Sequence, residues 1–325
     1  MLRHYLRSFL PGILIISLVS WIICDINSRS QQQLLEVKEI ELVKQQKEDV
    51  SPHFEQVVSD VLYLANQSEL LEAILDDEPG EWMHLTRDYL HFAKVKTIYD
   101  QLRFININGK EIARINFNGG APTFVSEENL QFKGKRYYFH DILKLSKGEA
   151  YVSQFDLNIE NEKIEQPLKP VIRFGAPVFD FEGNKVGIFI LNYLGITLFD
   201  HFARARSGSS FLLNSESYWL YDNGSGKEWG FMFPERNEQN LSHANPLAWQ
   251  QINASESGQF MTNSGLFTFT TVYPLLEGLK FSPAIANHSH DAAPKYYWKI
   301  VSFVPREIIQ ASSKDLTSLT LQLSV

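Results

Sequence analysis

One cysteine, Cys24, stands in 325 residues, so no disulfide can form within the chain and core packing alone must hold it together. Catalytic signatures are missing as well. There is no G-x-S-x-G elbow, Walker A loop, H-E-x-x-H helix or cysteine–histidine pairing. That weighs against hydrolase, P-loop and zincin chemistry, and the region is expected to be no enzyme and to need no cofactor. Positive charge is in short supply: 30 Lys and Arg face 38 Asp and Glu, a net charge of −8. Such a balance argues against a nucleic-acid partner. The only histidine cluster is His288-Ser289-His290-Asp291, between Pro283 and Pro294. With no further ligands nearby, it reads as a solvated loop and not as a zinc site.

The composition that remains is that of a globular protein: 44% hydrophobic, 21% charged and 13% aromatic. The length suits two domains of about 150 residues each. Long apolar runs are limited to one. Phe9 to Cys24 is almost wholly apolar, follows Arg3, His4 and Arg7, and is closed by Asp25. It lies near the lower limit of the roughly 17–25 residues that span a bilayer as a helix. Trp21-Ile22-Ile23 is a poor cleavage site, which favours an uncleaved anchor over the rival signal peptide. The leading positive charge puts the N-terminus in the cytoplasm. Either reading exports everything after Asp25 to the periplasm, and the favoured one leaves it on an inner-membrane anchor.

From Ser30 to about Leu75 the pattern is that of one long helix or two nearly continuous ones, with an apolar stripe at Phe54, Val57, Val58, Val61, Leu62 and Ala65. A helix of that length suits a coiled-coil dimer stalk. Asp76-Asp77-Glu78-Pro79-Gly80 breaks it, and Trp82 to Lys94 starts another helix. Tyr99 to Ile107, Asn108-Gly109 and Lys110 to Phe117 form a hairpin with a type I′ turn signal. A mixed insert covers Glu127 to Ser146. A strand over Tyr151 to Ile159 and an apolar hairpin, Val171 to Phe179 with Val186 to Tyr193, complete a sheet. A similar order then recurs: helix Thr197 to Arg206, hairpin Phe211 to Tyr221, hairpin Gln259 to Pro274, and a last strand Tyr296 to Val304. The expected fold class is α+β: two tandem PAS-like domains, each an antiparallel sheet flanked by helices, behind one long helix.

The residues QLRFININGKEIARI (Gln101 to Ile115), RYYF (Arg136 to Phe139), YVSQFDLNIE (Tyr151 to Glu160) and GIFILNYLG (Gly187 to Gly195) carry a family resemblance. YWLYD (Tyr218 to Asp222) and YWKIVSFVP (Tyr297 to Pro305) extend it. The chain resembles the double Cache sensor regions of bacterial histidine kinases, diguanylate cyclases and related receptors, over roughly residues 30 to 310. The resemblance implies these parts: a cytoplasmic N-terminus 1–8, a transmembrane helix 9–25, a stalk 26–78, a membrane-distal sensor domain 79–196, a proximal domain 197–305 and an exit helix 306–325. It also implies a homodimer and an output domain that this stretch does not include.

A ligand pocket in the distal domain follows from the same resemblance, between the sheet and the helical insert. Arg136 and Tyr138 fall where relatives hold a ligand carboxylate, a task suited to the planar guanidinium fork. Asn192 falls where relatives place an acid for an ammonium. A neutral amide cannot neutralise an amine, so a carboxylate without one is as good an expectation as an amino acid. Tyr151 and Ser153 share a strand face toward the pocket. Asp156 is read either as a turn residue or as a substitute acid. Arg173, inside an apolar strand, needs a partner, and Asp156 is the candidate. Two other classes compete: a membrane-anchored periplasmic hydrolase, and a structural ectodomain with filled cores and no polar pocket.

Overall fold

The computed structural model describes residues 2–76, 79–203, 208–274 and 296–311. Helix α1 (Leu2–Ala65) is followed by α2 (Ser68–Asp76), α3 (Pro79–Lys96), β1 (Tyr99–Asn106), β2 (Glu111–Asn116) and β3 (Thr123–Phe124). An insert carries α4 (Tyr137–Lys144). Short strands follow: β4 (Tyr151–Val152), β5 (Asp156–Leu157), β6 (Ile159–Glu160) and β7 (Lys163–Ile164). Then come β8 (Pro170–Phe179), β9 (Lys185–Leu194) and α5 (Ile196–Phe202). The remainder is β10 (Ser209–Asn214), β11 (Trp219–Tyr221), α6 (Leu241–Ala244), α7 (Pro246–Asn253), β12 (Ser257–Met261), β13 (Gly265–Val272) and β14 (Trp298–Pro305). Helices and antiparallel sheets in this order make an α+β fold.

The first sheet runs β3-β2-β1-β9-β8-β4, with β5 also on β8. Its β1–β2 hairpin turns at Asn108-Gly109. Gly109 has φ 84° and would drive a Cβ to 2.4 Å from the Gly134 Cα, so glycine is required there. One face packs Leu102, Phe104, Phe174, Phe189 and Leu191 against the helices. From α1 come Phe54, Val57, Val58, Val61, Leu64 and Ala65, each 2% exposed or less. Burial at i, i+3, i+4 and i+7 is what fixes this helix on the sheet, at about 1.5–3 kcal/mol per large side chain.

The opposite face buries Ile105, Ile188 and Ile190 under Tyr138, Phe139 and Ile142 of α4. Helix α4 comes this close because residue 175 is glycine. A Cβ there would lie 2.3 Å from the Ile142 Cδ1.

The second sheet runs β11-β10-β14-β13-β12. Leu213, Trp219, Phe267, Phe269 and Val301 pack with Leu241, Ala248 and Ile252 of α6 and α7. On its other side lies an earlier stretch of α1. Ser302 donates a hydrogen bond to Glu39 at 2.5 Å, and Gln46 donates to Ser210 at 3.3 Å. The two sheets meet through aromatics. The Phe155 ring centroid is 5.0 Å from that of Trp229 and 5.6 Å from that of Trp298. Tyr296 accepts a hydrogen bond from the Phe155 backbone at 2.7 Å. Phe54 of α1 contacts both sides, at 5.2 Å to Phe174 and 6.1 Å to Trp298.

Several expectations need placement or correction. The helical stretch expected from Ser30 to about Leu75, as one helix or two nearly continuous ones, is two: α1 ends at Ala65, where the Asn66 side-chain amide donates to the Leu62 carbonyl at 2.8 Å, and α2 begins afresh at Ser68. The strand expected over Tyr151 to Ile159 is three two-residue pieces. It breaks where the Ser153 hydroxyl, instead of a backbone carbonyl, accepts the Arg173 N–H at 2.8 Å. As for the anchor, residues 9–25 lie within α1, and among the described residues no helix is long and apolar enough to cross a membrane. Residues 306–311 are helical, while His288 to Asp291 and residues 312–325 lie outside the described residues.

Candidate functional site

The face of the first sheet under α4 is apolar at one end and polar at the other. Strand register explains why. Gln101 pairs with Asn192, Arg103 with Ile190 on one side and Arg114 on the other, and Arg173 with Asn192. Directly paired residues share a face. Gln101, Arg103, Arg114, Arg173 and Asn192 therefore form a contiguous polar floor, and all five are at most 6% exposed. The roof is built from the loop before α4, from α4 itself and from the β6–β7 hairpin.

At one end of the floor, Arg173 Nη1 lies 2.6 Å from Asp156 Oδ1, and its Nη2 reaches Asn158 Oδ1 at 3.5 Å. Burial alone would lower the Arg173 pKa, but Asp156 outweighs it and raises the pKa above the usual guanidinium value. The Tyr138 ring sits between two guanidiniums, 5.5 Å from that of Arg173 and 5.8 Å from that of Arg136. Arg136 is the N-cap of α4 and is half-buried. Among the described residues it makes no ion pair, unlike Arg103, Arg114 and Arg173.

At the other end, Arg103 is paired with Glu111 at 3.1 Å and also with Glu160. Arg114 reaches Glu111 at 3.0 Å and Glu160 at 3.6 Å, and Lys133 reaches Glu160 at 3.7 Å. Gln131 donates to Glu160 at 2.8 Å, and Lys133 donates to Gln131 at 2.7 Å. Burial pushes the Glu160 carboxyl up, but Arg103, Lys133 and Arg114 together prevail and hold it at about 2. Burial, then the neighbouring Arg103, bring Lys133 down to about 8 despite Glu160.

The sequence-predicted residues are thus placed as follows. Arg136, Tyr138, Asp156 and Arg173 come together around one aromatic ring. Tyr137 joins them, its hydroxyl 3.4 Å from Asp156. Burial, then Asp156, push the Tyr137 phenol up to about 12. Tyr151 packs at the α4 end of the apolar patch. Ser153 is occupied by the backbone, accepting from Arg173 and donating to the Gln154 carbonyl at 2.7 Å. Asn192 donates to Gln101 at 2.9 Å and is enclosed. Sequence reasoning missed Arg103, Glu111, Arg114, Lys133 and Glu160. The available signal was Gln101, Arg103 and Ile105 at alternate positions, which put charge on the same face as a core isoleucine.

A cavity of about 510 Å³ borders this polar end, lined by Arg114, Asn116, Ser126, Gln131 and Asn161, among others. A second, of about 490 Å³, lies between α1 and strands β12 and β13, beside Val43, Lys47 and Phe269. Among the described residues, no group of three or more His, Cys, Asp or Glu could hold a metal ion.

These features match a known kind of protein. The family model for the bacterial histidine kinase sensor domain matches residues 38–280, more than half of the chain. The chain belongs to that family. The extracellular domain of a protein described as a histidine kinase, vpHK1S-Z8, is similar at TM-score 0.71 and 16% identity, over 86% of this chain and 98% of that one. A domain of a sensory box/GGDEF family protein from Vibrio parahaemolyticus is similar at TM-score 0.72 and 16% identity, over 87% and 99%. The ligand-binding domain of the Campylobacter jejuni chemoreceptor Tlp3, in complex with 4-methylisoleucine, is similar at TM-score 0.56 and 10% identity, over 87% and 93%. No curated protein matches the chain. The chain thus carries a sensor region of a bacterial signalling receptor.

Proposed function

We propose that the polar floor of the first sheet and the start of α4 form the ligand site, and that the ligand is a small organic acid. Its carboxylate meets Arg136 over the Tyr138 ring, with Tyr151, Ser153, Asp156, Arg173 and Asn192 as neighbours in the site. One observation carries this reading. Arg136 is a half-buried guanidinium against the Tyr138 ring with no carboxylate in ion-pair range among the described residues, whereas Arg103, Arg114 and Arg173 are each paired. A free guanidinium fork at the edge of an enclosed polar face is built for a carboxylate. Among the described residues no free acid on this face stands ready for an ammonium, because Asp156 is engaged by Arg173 and Glu111 and Glu160 by Arg103 and Arg114.

The same reading assigns the remaining parts. Residues 9–25 anchor the chain in the inner membrane, with residues 1–8 cytoplasmic and everything after Asp25 periplasmic. In support, Leu14, Ile15, Ile16, Leu18, Val19, Trp21, Ile22, Ile23 and Ile26 are all exposed on α1. Residues 79–196 form the membrane-distal domain and 197–305 the proximal one. Two protomers pair along α1, where Leu34, Val37 and Ile40 are 46%, 63% and 49% exposed at intervals of three. The ligand shifts a population between two arrangements, by as much as its affinity for the two differs.

The test is a calorimetric titration of the full chain in detergent with organic acids, amino acids and amines. Binding of acids that Arg136→Ala abolishes supports the reading. Binding of amines alone, or of acids untouched by Arg136→Ala, refutes it.

A further inference from the structure

Glu160 does not behave like a hairpin-tip residue. The β6–β7 hairpin turns through Asn161 and Glu162, both at positive φ (49° and 63°), and delivers the preceding carboxylate onto the sheet face. There Glu160 meets Arg103, Arg114 and Lys133 and accepts from Gln131, Gln101 and Asn158, the last two at 3.2 and 3.3 Å. The two arginines are 3% and 6% exposed, and their Nε atoms are buried without an acceptor. Glu111 Oε1 is likewise buried without a hydrogen-bond donor, but three cations, Arg103, Arg114 and Lys133, share two carboxylates, Glu111 and Glu160. Glu111 is a fixed part of the sheet, ion-paired with both arginines and accepting from the Gln131 backbone N–H at 2.9 Å. Glu160, by contrast, arrives on a hairpin of four paired residues that belongs to neither main sheet.

We infer that Arg103, Arg114 and Lys133 are a second carboxylate subsite, and that Glu160 is its resident occupant, which a ligand carboxylate replaces. Arg114 and Gln131 reach the surface of the adjoining cavity, and Asn161 of the hairpin is part of its wall. An acid in that cavity is one side chain away from the cluster, and hairpin withdrawal joins the two spaces. The Arg136 backbone N–H donates to the Lys133 carbonyl at 3.0 Å, so one turn of chain carries both cationic poles and holds them within reach of one small molecule. This inference rests on the site proposed above and narrows its ligand to a dicarboxylate, with one group for Arg136 and one for the cluster. The hairpin is then the element that reports occupancy, since it cannot keep Glu160 in place while a ligand holds the same three cations.

Succinate is the probe, with butyrate and succinamide as controls, on the full chain in detergent. In Glu160→Gln the three cations lose their resident charge, and succinate is expected to bind at least about tenfold more tightly than to the wild type, with succinamide unaffected. Equal succinate affinity in the two proteins, or no binding to Glu160→Gln, overturns the subsite. Should that variant fail to fold, hydrogen exchange on the wild type decides. Succinate at 100 mM must speed exchange of the amides at 158–165 while butyrate and succinamide do not, and unchanged protection overturns the idea. Arg136→Ala in the Glu160→Gln background separates the two proposals. Succinate binding that survives it keeps this subsite and removes Arg136 from the ligand. Succinate binding that is lost ties both poles to one ligand and supports both.

Discussion

Removing Asp156 should be the most damaging single change to the candidate site. Its carboxylate is 15% exposed and sits 2.6 Å from Arg173, whose side chain is 3% exposed. Unit charges about 4 Å apart at an effective dielectric of about 20 attract by about 4 kcal/mol. Asp156→Ala strands the guanidinium under α4 with only the long Asn158 contact and the Tyr138 face, and should cost about 3–5 kcal/mol. Arg173→Met is a different case. It replaces the buried cation by an apolar chain of similar length, and Asp156 is near enough to water to be hydrated, so about 1–2 kcal/mol is expected. The double variant should then cost less than the two single costs combined, with a coupling of about 2–3 kcal/mol. Urea unfolding of the full chain in detergent, followed by tryptophan fluorescence, measures all three. An Asp156→Ala cost below about 1 kcal/mol, or smaller than that of Arg173→Met, would sink the reasoning. Asp156 would then be free to take an ammonium, and the case for an acid without an amine would go with it.

Two further outcomes follow from geometry described above. Gly175→Ala should lift α4 from the sheet and destabilise by about 1–3 kcal/mol, because its Cβ would meet Ile142; a second change, Ile142→Val, should recover part of the loss in the same unfolding assay, and no recovery would mean that the strain lies elsewhere. The other concerns pH. His53 Nε2 is 3.0 Å from His201 Nε2, and His201 Nδ1 is 3.0 Å from Asp49. Burial, then His201, hold the His53 pKa below its usual 6.5. The unfolded chain therefore binds the proton more readily, so this contribution to stability is full above about pH 6.5 and is lost as pH falls below it. Melting temperatures at pH 7.5 and 5.0 should fall further apart in the wild type than in His53→Gln, and equal differences would refute the assignment.

Much of the scaffold was legible because its signals are local. Asn108-Gly109 marks its own turn, and the run from Val171 to Tyr193 reads as a buried hairpin, which β8 and β9 are. The stripe from Phe54 to Ala65 names the side of α1 that meets the first sheet. The polar end of the site was not legible, for a physical reason. Arg103 alternates with Phe104 as a solvent-facing residue does, while Glu111 and Arg114, three apart on β2, share its face only through the register shift opposite Phe104 and Ile105. What encloses them is a loop, a helix and a hairpin that follow them in the chain by up to 57 residues. No periodicity carries that information. Arg173 was different, since a charge inside an apolar strand demands a partner, and the nearest acid along the neighbouring strand supplies it.

Helix α1 has a geometric consequence of its own. It docks on the second sheet through Glu39 and Gln46, and on the first through Phe54 to Ala65, with Pro52 between them removing one backbone hydrogen bond. Both docking sets are cut on one shaft and so hold a fixed angular phase. Adding a single residue between Gln46 and Phe54 would turn one set by about 100° against the other, and one sheet would lose its seat. Adding seven would restore the phase to within about 20° but slide one set about 10 Å along the axis, while Phe155 and Trp298 hold the sheets together. The interval is thus fixed in both phase and length: it tolerates substitution at exposed positions but not insertion.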